Sequence, residues 1–296
     1  MPYQTTVAEC DCDSCIRDRE RDMDDDLDYD DDPDDGCGDC GYDDCESCNP
    51  PSELIHYHDY RPDPIFHGDG PMFLGMELEV EAARYTRAED AEFLQAEMGD
   101  LVYLKEDGSI DYGFEIVTHP MSYSWAMEHF PWEVLAALKR RGCSVNRRVG
   151  IHVHVSRAAF SGVPHMYRWM KFVYRNAPQV RRLARRNSTE WASFDPYYRA
   201  QVKDYVKGGR GDRYQAINPN NADTLEVRVF ASSLKANEVR AALAFVAATV
   251  EYTRDLDSQK IIKARGWAWD AFVEWLRVHD EYAPLLAELE ALECVS

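Results

Sequence analysis

The chain has 296 residues, a formal charge of −21, 45% hydrophobic and 12% aromatic content, which is enough apolar material for one large core and an appendage. No apolar run approaches the ~18 residues that span a bilayer, and the amino terminus, MPYQTTVAECDC, lacks the basic-then-apolar order of a signal peptide. A soluble, cytoplasmic protein without membrane attachment is expected, and the acidity argues against a general nucleic-acid binder.

The charge is unevenly placed. Residues 1–50 hold 19 Asp or Glu against three Arg, which leaves the other 246 residues at only −5. The run 21–35 (RDMDDDLDYDDDPDD) has too much like charge and too little apolar material to pack, so a loop or disordered stretch is expected. Around it lie seven of the nine cysteines. Cys12 and Cys15, Cys37 and Cys40, and Cys45 and Cys48 form three C-x-x-C pairs, a spacing that lets two thiolates clasp one structural Zn²⁺. Which pairs share an ion is left open. His56, His58 and His67 are further candidate ligands, and disulfides or iron–sulfur ligation are the alternatives. The expected organisation is an acidic, cysteine-rich zinc-binding segment at 1–50, a Pro-rich linker at 51–71 and a catalytic domain at 72–296.

In Gly75-Met-Glu-Leu-Glu-Val-Glu81, successive strand side chains alternate, so Glu77, Glu79 and Glu81 line one face while Met76, Leu78 and Val80 take the other. Aligned carboxylates repel unless the face is solvated or cations sit among them. Thr86-x-x-Glu89 is the pattern of a capping box opening a helix to about Met98 and Gly99. A hairpin follows, with a strand from Val102, an Asp-Gly turn and the strand Gly113–Thr118, where Glu115 points away from Phe114 and Ile116.

Helical spacing over 122–141 is interrupted at Pro131 and ends at Gly142. The strand Gly150–Ser156 repeats the two-faced pattern, with Ile151, Val153 and Val155 inward and His152, His154 and Ser156 outward. The helical segment Pro164–Arg186 breaks before Pro178, and its second half carries Arg181, Arg182, Arg185 and Arg186. That cluster is either a solvated helix face, a phosphate-neutralising group or a seat for the acidic leader. Asp195-Pro196 starts another helix. A strand over Arg213–Asn218 then leads through Pro219-Asn-Asn221 into Thr224–Phe230, which places Glu226 and Arg228 on one face. The remaining segments 237–254, 266–279 and 280–292 are helical, with Trp267, Trp269 and Trp275 as core.

Four strands thus each present one aliphatic and one functional face, and side by side in an antiparallel sheet they make a wall of carboxylates, imidazoles and a guanidinium. The order Gly-x-Glu-x-Glu, Lys-x-Asp-Gly-Ser, Gly-x-Glu-Ile-Val-Thr-x-Pro, Gly-Ile-His-Val-His-x-Ser, Arg-Tyr-x-x-x-Asn and Thr-x-Glu-x-Arg-x-Phe resembles the amidoligase family of the glutamine synthetase and glutamate–cysteine ligase superfamily. The resemblance covers about residues 72–255. It implies an α+β, glutamine synthetase-like domain with a curved antiparallel sheet backed by helices, holding ATP and Mg²⁺ or Mn²⁺.

Carried over by motif, Glu77, Glu79, Glu115, His152 and Glu226 would be metal ligands. Arg228 would contact the transferred phosphoryl group, with Glu115 and Glu226 at the reaction centre. His154 would lie nearer the nucleotide, Arg213 and Asn218 would hold phosphates or substrate, and Lys105 and Asp107 would contact nucleotide or substrate. Glu81 stands outside the paired motif. The implied reaction joins the carboxylate of an amino acid, peptide or protein side chain to an amine through an acyl phosphate. Alternatives are a phosphotransferase, a metal-dependent hydrolase, or a non-enzymatic protein whose leader binds a basic partner.

Overall fold

A computed structural model describes residues 52–188, 190–263 and 265–295. The acidic run and the candidate zinc ligands Cys12, Cys15, Cys37, Cys40, Cys45 and Cys48 lie outside the described residues. Among the described residues, eight strands form one sheet: β1 (Ile55–His56), β2 (Phe73–Glu81), β3 (Val102–Lys105), β4 (Gly113–Thr118), β5 (Met121–Ser122), β6 (Gly150–Ser156), β7 (Ile217–Asn218) and β8 (Thr224–Ala231). Their order is β1-β3-β4-β2-β6-β8-β7, with β5 also paired to β2. Only β1 with β3 is parallel.

Alternation along β2, β6 and β8 drives the packing. Met76, Leu78 and Val80, then Ile151, Val153 and Val155, then Leu225, Val227 and Val229 are all buried, each worth about 1.5–3 kcal/mol when taken from water. Ten helices are described: α1 (Arg87–Met98), α2 (Tyr123–His129), α3 (Glu133–Arg141), α4 (Val163–Arg175), α5 (Ala177–Ala184), α6 (Pro196–Tyr205), α7 (Ala236–Arg254), α8 (Ser258–Lys263), α9 (Trp269–Leu276) and α10 (Ala283–Ala291). The Ala- and Val-rich α7 is buried for most of its length; it packs on β6, with α4 and α10 against it, while α5 packs on β8. Small side chains on α7 permit that close approach on several sides. No described helix is long and apolar enough to cross a membrane.

Several boundaries follow the expected punctuation. Pro131 separates α2 from α3, and Gly142 ends α3 at φ 104°, a left-handed conformation that favours glycine. Asp195 caps α6 by accepting from Tyr197 N at 2.7 Å. Trp269 is buried in the core, and Trp267 and Trp275 are packed against it.

Two expectations are corrected. Thr86 does not cap α1 through its side chain; its hydroxyl donates to Asp90 Oδ2 at 2.7 Å and to the Ala83 carbonyl. The reason is that Asp90 is fully buried and draws donors, Arg141 Nε among them at 2.5 Å. The strand expected from Arg213 shortens to Ile217–Asn218, because the backbone around Tyr214 and Ala216 bonds to Ser193 instead.

The Pro-rich stretch is built onto the domain. Ile55–His56 pairs with β3, His67 bridges to Met121, and Ile65 N donates to His119 Nδ1 at 3.2 Å. His56 stacks on Tyr60 and His67 on Trp125.

Candidate active site

Strand register assembles the polar face. Pairing of β2 with β4 sets Glu79 opposite Glu115, and pairing with β6 sets Glu77 opposite His152. Lys105 on β3 lies opposite Glu115, and on the other side His154 and Asn218 each lie opposite Glu226. A register shift in the β6–β8 ladder lies beside His152. It is a local bulge of the kind that re-aims side chains. The wall borders a cleft of about 1780 Å³, lined in part by Glu77, Glu115, His152, His154, Glu226 and Arg228. It is not a wet face: Glu79, Glu115, His152 and Glu226 are each 6% exposed or less.

The side chains form a connected network. His152 Nδ1 lies 3.0 Å from Glu77 Oε2 and 3.6 Å from Glu226 Oε1, and its Nε2 lies 3.6 Å from Glu79 Oε1. Lys105 Nζ pairs with Glu115 at 2.8 Å. Glu226 accepts from Arg228 on one oxygen, and from Asn218 at 2.8 Å and Asn221 at 3.3 Å on the other. Glu79 accepts from Gly150 N at 2.6 Å and Ser109 Oγ at 3.2 Å, and Ser109 also bonds Asp107 at 2.6 Å. His154 Nδ1 meets Thr224 Oγ1 at 3.1 Å. His154 Nε2 lies 3.2 Å from Glu77, close enough for charge attraction but outside hydrogen-bond geometry, which leaves it buried without a hydrogen-bond partner.

Crowding of buried carboxylates shifts their ionisation. Burial and then repulsion from Glu77 push Glu115 up to about 8, with Lys105 opposing. Burial also raises Glu79; His152 opposes that shift and Asp107 adds to it. For Glu77 burial would act the same way, but charge attraction to His154 and the hydrogen bond with His152 hold it well below the usual carboxylate range. Glu226 is lowered against its burial by His154, His152 and Arg228. Both imidazoles are raised: burial disfavours their charge, but Glu77 and Glu226, with Glu79 beside His152 and Glu115 beside His154, together outweigh it.

A hard divalent cation suits this donor set. Three groups converge with their ligand atoms within 4.8 Å of one another: Glu77, His154 and Glu226; Glu77, Glu115 and His152; Glu79, Asp107 and Glu115. The unpartnered His154 Nε2 and the like-charged pair Glu79 and Glu115 are what a cation would resolve.

The predicted site residues come together along the cleft and the sheet face beside it. His154 and Asp107, expected beside the nucleotide, sit within the candidate cation groups. Asn218 is spent on Glu226, and Lys105 on Glu115. Arg213 lies over the Tyr214 ring at 4.7 Å and lines the cleft. Glu81 is removed from the cluster, accepting from the Tyr112 and Asp111 backbone and from Asn146. Residues not singled out are Ser109, Gly150 and Asn221. Each stands inside a quoted motif or its adjoining turn, but none is itself titratable, so a search for charge overlooks them.

Residues 75–218 match the family model described as "Putative amidoligase enzyme". Glu226 and Arg228 lie beyond that segment and join it through the β6–β8 and β7–β8 pairings. A solved structure titled "Apo GmaS without ligand" is similar at 14% identity and a TM-score of 0.38, over 73% of this chain and 66% of that one. That likeness is too distant to lay one site on the other. No curated protein matches the chain.

Proposed function

Starting from residues 75–218 as a segment of the amidoligase family, a family of ligase enzymes, we propose that the chain is an ATP-dependent carboxylate–amine ligase. In this reading ATP first converts a carboxylate to an acyl phosphate, and an amine then displaces phosphate to leave an amide. The observation that carries the proposal is the convergence of Glu77, Glu79, Glu115, Glu226, His152 and His154 on one largely buried sheet face.

Glu77, Glu79, Asp107, Glu115, His152, His154 and Glu226 would hold Mg²⁺ or Mn²⁺, which when bound supplies positive charge to the phosphates and the group in transfer. The chain's own contribution is preorganisation. Asn218 and Asn221 fix one oxygen of Glu226, and Arg228 takes the other. Arg228 has further N–H donors beyond that contact, and it lines the cleft. There they would offset charge developing on a phosphoryl oxygen without reorganising. Lys105 neutralises Glu115 from the side of β3. The cleft exceeds the ~300–1,000 Å³ of an ordinary small-molecule pocket, so it has room for a nucleotide beside a carboxylate substrate.

An oxygen-transfer experiment tests the chemistry. With candidate carboxylates labelled with ¹⁸O, the acyl-phosphate route delivers one labelled oxygen to inorganic phosphate, and only when ATP and an amine are both present. Label-free phosphate accompanied by amide formation would rule that route out. Phosphate release that ignores carboxylate and amine alike would instead favour a hydrolase. The leader is proposed to form a zinc-binding segment through its C-x-x-C pairs. Metal content of the full chain beside Cys12→Ser and Cys37→Ser variants tests that separately.

A further inference from the structure

A smaller pocket of about 230 Å³ shares Asp107, His152, Arg213 and Arg228 with the main cleft and is also lined by Glu79, Arg148 and Arg186. Two of those guanidinium groups are already engaged. Arg228 bonds Glu226, and Arg148 spans both oxygens of Asp111 at 2.6 Å. Arg186 and Arg213 have no carboxylate within ion-pair distance among the described residues.

The chain builds room for Arg186 deliberately. Arg185 ends α5 in the left-handed region, at φ 52°, and turns to Glu238 and Glu288 on the helical side, which sends Arg186 the other way. Arg182 pairs with Glu293 and Arg181 lies over Phe194. Of the four clustered arginines, Arg186 alone reaches the site. It lies over Gly150, where an added Cβ would stand 2.2 Å from Arg186 Nη1 and 3.2 Å from the Phe230 carbonyl. Its Nη2 donates to the Arg148 carbonyl at 3.0 Å, and its Nε is buried with no partner at all. Opposite, Arg213 lies over Tyr214, whose ring meets Trp191 edge-on at 5.2 Å. Leaving a buried guanidinium donor unmatched is costly unless an acceptor arrives.

We propose that Arg186, which no motif points to, joins Arg213, to which the resemblance already gives a phosphate- or substrate-holding role, in an oxyanion subsite beside Arg228 that takes a carboxylate or phosphate group of a bound reactant. Paired guanidinium groups favour ligands that accept two parallel hydrogen bonds. Trp191 and Tyr214 also line the pocket. The proposal rests on the ligase reading only for what the anion belongs to: the second acidic group of the carboxylate substrate, or the phosphate chain of the nucleotide.

Titration of the full chain with inorganic phosphate, followed by ³¹P NMR, tests it, with glutarate as a dicarboxylate competitor and a non-hydrolysable ATP analogue plus Mg²⁺ measured in parallel. Arg186→Gln and Arg213→Gln, checked for folding by circular dichroism, should each weaken phosphate binding about tenfold or more, as expected for hydrogen bonds to a charged group. Arg182→Gln, outside the pocket, should not. Displacement by glutarate with analogue binding intact in the variants assigns the subsite to the carboxylate substrate. Parallel loss of analogue binding assigns it to the nucleotide. No phosphate binding by the intact chain, or binding that ignores both substitutions, would overturn the subsite. Phosphate binding with no analogue binding would leave the subsite standing and overturn the ligase reading.

Discussion

Glu115 gives the sharpest physical consequence of crowding carboxylates on one buried sheet face. Burial first, and repulsion from Glu77 second, put its folded-state pKa at about 8, against an ordinary 4.5. A carboxyl raised on folding contributes nothing adverse below about pH 4.5. Its destabilisation grows as pH rises, by ~1.4 kcal/mol per pH unit, and levels off above about pH 8. The span amounts to about 3 kcal/mol by pH 7 and about 5 kcal/mol above pH 8. Glu77 and Glu226 act with the opposite sign, since their lowered pKa values contribute stability that is lost on acidification. His152 and His154, both raised, contribute stability present at low pH and lost as pH rises through their folded values. The Glu115 contribution is therefore isolated by difference. Urea unfolding in chelator at pH 5, 6, 7 and 8, for the intact chain and for Glu115→Gln, should show the variant gaining steadily on the parent as pH rises. Added Mg²⁺ should steepen the parent's recovery more than the variant's. Parallel curves between pH 5 and 8, with or without Mg²⁺, would refute the reasoning.

Other consequences are separable. Asn218→Ala removes a hydrogen bond to the buried Glu226 carboxylate and should weaken Mg²⁺-dependent nucleotide binding by about 1.5–3 kcal/mol by calorimetry, while Asn218→Asp should weaken it further by adding a like charge. Gly150→Ala forces a Cβ against Arg186 and the Phe230 carbonyl; overpacking of about 1–3 kcal/mol should appear in thermal unfolding. Asp90→Ala removes a fully buried carboxylate, outside the cleft lining, that Thr86 and Arg141 both bond; it should cost about 1.5–3 kcal/mol in denaturant unfolding and leave ligand affinity unchanged once the chain is folded.

Much of this was legible in the sequence because strand alternation is a local rule. Glu77 and Glu79, His152 and His154, and Glu226 and Arg228 each declare their shared face two residues apart, and register then needed only to place the strands side by side. The repeated two-faced pattern suggested that adjacency, and the resemblance in motif order agreed with it. What local rules could not convey was long-range competition for partners. Thr86 reads as a cap until the buried Asp90, which also binds the distant Arg141, claims its hydroxyl. Arg213 begins a strand by pattern, but Ser193 takes the backbone bonds around it. Likewise four arginines in one stretch look equivalent, and only the tertiary positions of Glu238, Glu288, Glu293 and Phe194 reveal that Arg186 is the one left for the site. The Pro-rich stretch reads as linker because its contacts, to Leu104 and Met121, lie more than forty residues away.

The central claim is that the wall binds a nucleotide together with divalent cations. Its most direct test is calorimetric titration of the full chain with a non-hydrolysable ATP analogue, with Mg²⁺, with Mn²⁺ and in chelator, beside folded Glu77→Gln and Glu226→Gln variants. Binding that requires the cation and is lost in both variants is the predicted result. Absence of binding by the intact chain with either metal, or binding that survives both substitutions, would contradict it.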